Sequence, residues 1–187
     1  MLRKPINIIT SLIVILLVNS NLFAQSINPL DYYPTPSKTA KSLFYIQRSH
    51  NKNTIVYDIN LLPDGSLNKE APIHPYWIRY EEGGITQELS FIQRKYAYGV
   101  YYETIDESKG SYKVYFVCYS KKYIYLLKSN KDLKYHAYIS LNNRLIELNK
   151  VFIKTEGGTF WFPVVRYVEV SGIDMATNQY TSVRFTP

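Results

Sequence analysis

Few side chains in this chain stand at the spacings that known chemistries require. His50, His74 and His136 lie far apart, and none is at a metal-ligand spacing from another or from the single cysteine, Cys118. There is no nucleophile-elbow serine, no phosphate-cradling glycine loop and no dinucleotide fingerprint. The carboxylates have the widest catalytic scope. Glu81–Glu82 and the group Glu103, Asp106 and Glu107 hold general acids and bases of the kind that cleave glycosidic bonds. That reaction needs two carboxyl groups at a set separation across a cleft, which sequence does not give. Both groups also sit beside turn signals, where acidic residues are ordinarily just solvated. No residue is therefore assigned as catalytic, and no metal or other cofactor is implied.

Binding chemistry is better represented. Between Tyr112 and Lys134, Lys113, Lys121, Lys122, Lys128, Lys131 and Lys134 alternate with Tyr112, Tyr115, Tyr119, Tyr123 and Tyr125. Rings stack on flat ligands and ammonium groups neutralise anions, as in proteins that hold single-stranded nucleic acid. The plainer reading is that tyrosines fill half-buried sheet faces while lysines guard strand edges and turns. Trp77 near Tyr76 and Tyr80, and Trp161 between Phe160 and Phe162, are further flat apolar surfaces with polar tips. Strand alternation sets Trp77 and Arg79 on one face and Tyr76, Ile78 and Tyr80 on the other. The candidate ligand-binding set is Trp77, Arg79, Lys113, Tyr115, Tyr119 and Lys121. Cys118, within "VYFVCYS", reads as a buried, inert thiol with nothing nearby to lower its pKa.

The elements that must position these residues are mostly strands. The chain has 19 Tyr, many Ile and Val, and turn residues at short intervals. "TIVYDINLL" alternates as a half-buried strand, with Ile55, Tyr57, Ile59 and Leu61 on one side. Pro63–Gly65 is a turn, and Asn142–Asn143 suits a two-residue hairpin because Asn accepts left-handed dihedrals. Lys121–Lys122 falls between two tyrosine-rich strands, and "IDMATN" between the last two. About nine strands follow, in a largely antiparallel barrel or sandwich. One segment has helical spacing. In "TQELSFIQRKYAYG", Leu89, Ile92 and Tyr96 recur on one side, Thr86 suits an N-cap and Gly99 a C-cap, which predicts a short helix near 86–98. "Ile-Gln-Arg" occurs at 46–48 and again at 92–94. The first copy falls on a strand and the second on the helix, so the repeat is no duplication.

The first residues set the compartment. Arg3 and Lys4 precede the apolar run Ile8–Val18, and "NLFAQ" closes it with small Ala24 at a cleavage position, the layout of a secretory signal peptide over 1–24. Asn19 and Asn21 interrupt the run before it reaches the roughly 20 residues of a membrane span. Residues 25–41 read as a flexible lead-in and 42–187 as one β-rich domain. Cleavage lowers the formal net charge from +7 to about +5, mildly basic. The expected location is periplasmic or extracellular, with no transmembrane segment after cleavage. Such a chain rarely meets nucleic acid, so an anionic polysaccharide or a lipid headgroup suits the lysines better.

Taken in order, "LFYIQRSHNKNTIVYDINL", "HPYWIRYEEGG", "ELSFIQRKYAYG" and "VVRYVEVSGIDMATNQY" resemble a family of exported bacterial proteins known as domain of unknown function 4833, over about residues 40–187. The resemblance implies an extracytoplasmic bacterial protein and carries no activity, ligand or catalytic residue. The expectation is a non-enzymatic binding module for an apolar, glycan or envelope ligand. The alternatives are a carboxylate-dependent hydrolase of envelope polysaccharide, using residues such as Glu81 and Glu103, and a structural partner of an envelope protein.

Overall fold

The computed structural model describes residues 33–158 and 163–187. The expected signal peptide, most of the lead-in and the aromatic triplet Phe160, Trp161 and Phe162 lie outside the described residues. Eleven strands form one sheet: β1 (Ser42–Arg48), β2 (Asn51–Ile59), β3 (Ile73–Arg79), β4 (Ile85–Glu88), β5 (Val100–Asp106), β6 (Ser111–Phe116), β7 (Tyr119–Lys128), β8 (Tyr135–Leu141), β9 (Arg144–Gly158), β10 (Pro163–Asp174) and β11 (Tyr180–Phe185). A helix, α1 (Phe91–Tyr96), and a 3-10 turn at Tyr80–Glu82 complete the regular structure among the described residues. The fold is thus mainly β, as the composition implied, with the sheet curled into a half-barrel.

The long strand β9 organises it. One edge of β9 is paired antiparallel to β10 along most of its length. The other edge takes β8 over Arg144–Glu147 and then β1, in parallel, over Lys150–Ile153. Two arms therefore fork from that edge, β1–β2–β3–β4 and β8–β7–β6–β5, each a meander of antiparallel neighbours. At Gly172 of β10 the two backbones crowd closely, since a Cβ there would meet the Glu147 carbonyl oxygen at 1.9 Å.

The arms curl toward each other around one core. Phe44 of β1 stacks on Tyr57 of β2 at 4.6 Å, and Phe116 of β6 meets both rings edge-on at 6.2 and 5.7 Å. Ile55, Val114, Ile124, Leu126 and Ile146 fill the rest, each with essentially no exposed surface. Hydrogen bonds cross between the arms: the Tyr57 hydroxyl donates to the Tyr98 carbonyl at 2.8 Å, and the Tyr102 hydroxyl to the Ile73 carbonyl at 3.2 Å. Burial in this water-excluded space pushes the Tyr57 hydroxyl well above its ordinary range and Tyr102 up to about 12.

Local departures from the sequence reading have local causes. Residues 85–88 pair with β3 as β4, because the β3 edge offers ladder hydrogen bonds that a first helical turn lacks. The helix consequently starts later, at a capping box in which the Ser90 hydroxyl accepts from the Gln93 N–H and the Gln93 side chain accepts from the Ser90 N–H. Thr86 is therefore not the cap. Leu89 is buried just ahead of the helix, whereas Ile92 and Tyr96 are exposed. The turn between β6 and β7 is Val117–Cys118, not Lys121–Lys122, which lie inside β7. The Asn142–Asn143 hairpin forms as read, both residues having positive φ (50° and 61°). The first Ile-Gln-Arg is on β1 and the second within α1.

Strand β2 is buried on both faces rather than one. Its outward residues Thr54, Val56 and Asp58 are covered along with the core-facing set. The cover is the segment before β1. The Gln47 amide donates to the Pro34 carbonyl at 2.7 Å, the Tyr33 ring meets Phe152 edge-on at 5.1 Å, and Tyr33 accepts from the His50 N–H. The described part of the lead-in has no regular structure but is bonded to the sheet.

Candidate functional site

Four of the six candidate residues belong to β6 and β7. Pairing in the β5–β8 arm sets two rows across its outer face. Tyr101 lies opposite Tyr115, and Tyr115 opposite Tyr123. In the second row Glu103 faces Lys113, then Tyr125, Tyr138 and finally Glu147 of β9. These positions alternate with Tyr112, Val114, Ile124, Leu126 and Ala137, which point into the core. One apolar side is enough to hold the strands, so the other side is left to the tyrosines.

The rings are closely arranged. Tyr101 and Tyr115 stack in parallel at 5.0 Å, Tyr115 leans on Tyr123 at 5.5 Å, and Tyr123 meets Tyr125 edge-on at 5.0 Å with their hydroxyls 3.0 Å apart. The Lys113 ammonium lies 5.4 Å over the Tyr123 ring and 3.4 Å from Glu103. Glu103 also accepts from the Tyr115 hydroxyl at 2.9 Å. That bond, followed by the Lys113 charge, holds the Glu103 carboxyl below its ordinary range and raises Tyr115 to about 12. Flat aromatic faces with fixed polar groups between them suit a ligand that is apolar on its faces and hydroxylated at its rim.

The remaining candidates sit elsewhere. Tyr119 and Lys121 are on β7 but beyond a bulge: Tyr119 pairs with core-facing Phe116 and stacks on Phe185 of β11 at 6.4 Å. The register shift turns Tyr119 away from the Tyr115 row. Trp77, expected on an open face, is only 5% exposed. Its ring meets Tyr98 edge-on and its N–H donates to Gln93 at 3.3 Å, so it anchors α1 to the core. Arg79 is tied to Gln87 at 2.8 Å and to Glu82, bracing the β3–β4 turn. Cys118 is not core but an exposed turn residue. Its thiol still lies close enough to Tyr57 and Tyr98 to act on both hydroxyls, and desolvation pushes it up, which keeps it inert.

The carboxylates are also dispersed. Glu81 accepts from the Lys52 N–H at 3.1 Å and from Asn53, on the β1–β4 arm, while Glu103 is on β5 of the other. No hydrogen bond or shared cavity joins them among the described residues. Asp106 caps its own turn through Ser108, and Glu107 pairs with Lys69 at 3.4 Å across an open cleft of about 870 Å³.

Sequence reasoning missed the fork itself. Where β8 leaves β9 and β1 has not yet joined, a notch of about 290 Å³ opens. His136 stands at its wall between two carboxylates, with Nδ1 2.7 Å from Glu147 and Nε2 2.9 Å from Asp132. Both ring nitrogens are occupied, so the imidazole has none to offer a nucleophile. Asp132 is held below its ordinary range first by the Lys134 N–H and then by His136. Only the i, i+4 spacing of Asp132 and His136 was visible in the sequence; Glu147 arrives through strand register. Among the described residues no group of His, Cys, Asp and Glu is arranged to hold a metal ion, and no helix is long and apolar enough to cross a membrane.

No curated protein and no solved structure matches the chain. A family model does, from Phe44, the first core ring of β1, to Arg184 on β11, so that the match takes in both arms and the strand that joins them. Over residues 44–184 this chain belongs to the family described as a domain of unknown function, DUF4833.

Proposed function

We propose that this protein is a non-enzymatic, exported binding module of the bacterial envelope, periplasmic or extracellular, and that it holds glycan chains on the outer face of the β5–β8 arm. The observation that carries the reading is the stacked row Tyr101–Tyr115–Tyr123, continued by Tyr125 and Tyr138, with Glu103 and Lys113 fixed among the rings. Sugar rings present C–H faces to aromatics and hydroxyls to charged neighbours, and this surface supplies both in one plane. The filled interior argues against an apolar ligand within the half-barrel, since the rings and aliphatic side chains of the core occupy that space. The dispersal of Glu81 and Glu103 favours binding over hydrolysis.

The test is a glycan array probed with the wild-type chain and with the Tyr115→Ala/Tyr123→Ala variant. Each stacked ring contributes about 0.5–1.5 kcal/mol beyond its buried area, so the double variant is expected to bind about tenfold more weakly or worse. Unchanged glycan binding by that variant, or no glycan bound by the wild type, would reject the reading.

A further inference from the structure

We infer that the notch at the fork of β1, β8 and β9 is a subsite for a single carboxylated sugar residue, of the uronic acid class; the inference rests on the glycan-binding reading of the tyrosine face. The notch is a consequence of topology. Leu148 and Asn149 of β9 have no strand partner on the edge that β8 has left at Glu147 and β1 has not reached until Lys150. Its volume of about 290 Å³ is at the low end of the roughly 300–1,000 Å³ of small-molecule sites, which suits one sugar ring rather than a longer segment.

The charges in the notch divide into satisfied and unsatisfied groups. Asp132 and Glu147 are both turned onto His136, which carries at most one positive charge, so at least one carboxylate charge remains at this wall. Lys38, from the segment entering β1, and Lys134, from the β7–β8 connection, also line the space. Neither ammonium makes an ion pair or hydrogen bond among the described residues, and the same holds for the side-chain amide of Asn149 and the hydroxyl of Tyr180. A guest therefore meets two unpaired cations, an amide and a phenol on one side, opposite the His136–carboxylate wall, which suits a hydroxylated ring whose carboxylate is turned to the lysines. The position identifies the guest further. The row Glu103–Lys113–Tyr125–Tyr138 runs directly into Glu147 at the notch wall, and the Tyr138 ring lies 6.1 Å from that of His136. A glycan lying along the tyrosines reaches the notch with its next residue.

Calorimetric titration of the full chain tests this with three probes of matched length: an oligogalacturonate, a neutral oligogalactoside and a sulfated oligogalactoside. The wild type is expected to favour the galacturonate over the neutral chain by about tenfold, through charge-assisted hydrogen bonds from the two lysines. Lys38→Ala/Lys134→Ala is expected to remove that preference and leave affinity for the neutral chain unchanged. Tyr115→Ala/Tyr123→Ala is expected to weaken both. Loss of the preference in the lysine variant alone supports the subsite. An equal loss for the neutral chain, a preference that survives the lysine substitutions, or a stronger preference for the sulfated chain overturns it while leaving the tyrosine face standing. If the tyrosine substitutions change nothing, the glycan reading itself fails.

Discussion

The two arms that fork from β9 are built from similar strands but treat their outer faces in opposite ways. In the β1–β4 arm the outward residues of β1 and β2 are sealed, with Gln47 1% exposed, Thr54 0% and Val56 3%, while the edge strand β4 is exposed. The Gln47 amide donates to the Pro34 carbonyl and to Thr54 at 3.2 Å, and Asp58 accepts from the Tyr76 hydroxyl at 3.1 Å, while Gln47 Oε1 and the other Asp58 oxygen stay buried without a partner among the described residues. In the β5–β8 arm nothing among the described residues lies over the outer face, and Tyr101 is 45% exposed. Strands β1 and β2 of the first arm are thus covered on both faces, while the second arm is covered on one. The tyrosine row of that face, exposed at Tyr101 and half-buried along the rest, is the basis of the proposed glycan surface.

The largest effects should come from what the arms share. Tyr57→Ala removes a ring packed on Phe44 and Phe116 and is expected to destabilise by about 3–5 kcal/mol in denaturant titration. Gly172→Ala drives a methyl into the Glu147 carbonyl and is expected to cost about 1–3 kcal/mol or more, loosening both arms at their common strand. Next comes the contrast between outer faces. Val56→Ala should cost about 2 kcal/mol because the residue is covered, whereas Tyr123→Ser, on the half-buried outer face, should cost about 0.5–1.5 kcal/mol through its lost ring contacts. Equal losses at the two positions would erase the distinction.

Titration sharpens the same contrast through its sign. Burial raises the Asp58 carboxyl above its ordinary value, so its contribution to stability is fully present below the unfolded pKa and is lost as pH rises through the folded one. Glu103 is lowered, by the Tyr115 hydroxyl and then by Lys113, so its contribution is present above the unfolded pKa and is lost as pH falls through the folded one. In thermal melts across the acid range, Asp58→Asn is expected to raise stability at neutral pH relative to acid. Glu103→Gln is expected to flatten the acid-side decline. The smallest effect belongs to Tyr115→Phe, which removes the hydroxyl donor: an NMR titration should find Glu103 moved back toward an ordinary glutamate, with stability changed by less than about 0.5 kcal/mol.

Much of this architecture was legible because strand period and turn chemistry are local. The alternation around Ile55 and Tyr57, the left-handed Asn142–Asn143 turn and the placement of the two Ile-Gln-Arg triplets all follow from nearest neighbours. The fork was not legible, because the parallel pairing of β1 with β9 joins residues about a hundred positions apart and no local signal announces it. The same limit applied to the site. Interleaving pointed to Lys113 and Tyr115, which register sets on one outer face, but the bulge that turns Tyr119 onto Phe185 was not visible in it. Trp77 read as a surface platform because alternation does not say which face is core, and the answer lies in Tyr98 and Gln93 of distant segments.

The most direct test of the division between the arms is a paired measurement of oligogalacturonate affinity and thermal midpoint on Val56→Ala and on Tyr115→Ala/Tyr123→Ala. The account predicts opposite outcomes for affinity: Val56→Ala lowers the midpoint and leaves the dissociation constant unchanged, while the tyrosine variant, whatever its lost ring contacts cost the midpoint, weakens binding about tenfold or more. A tyrosine variant that melts early yet binds as well as wild type would contradict it, making the β5–β8 outer face structural and placing recognition elsewhere.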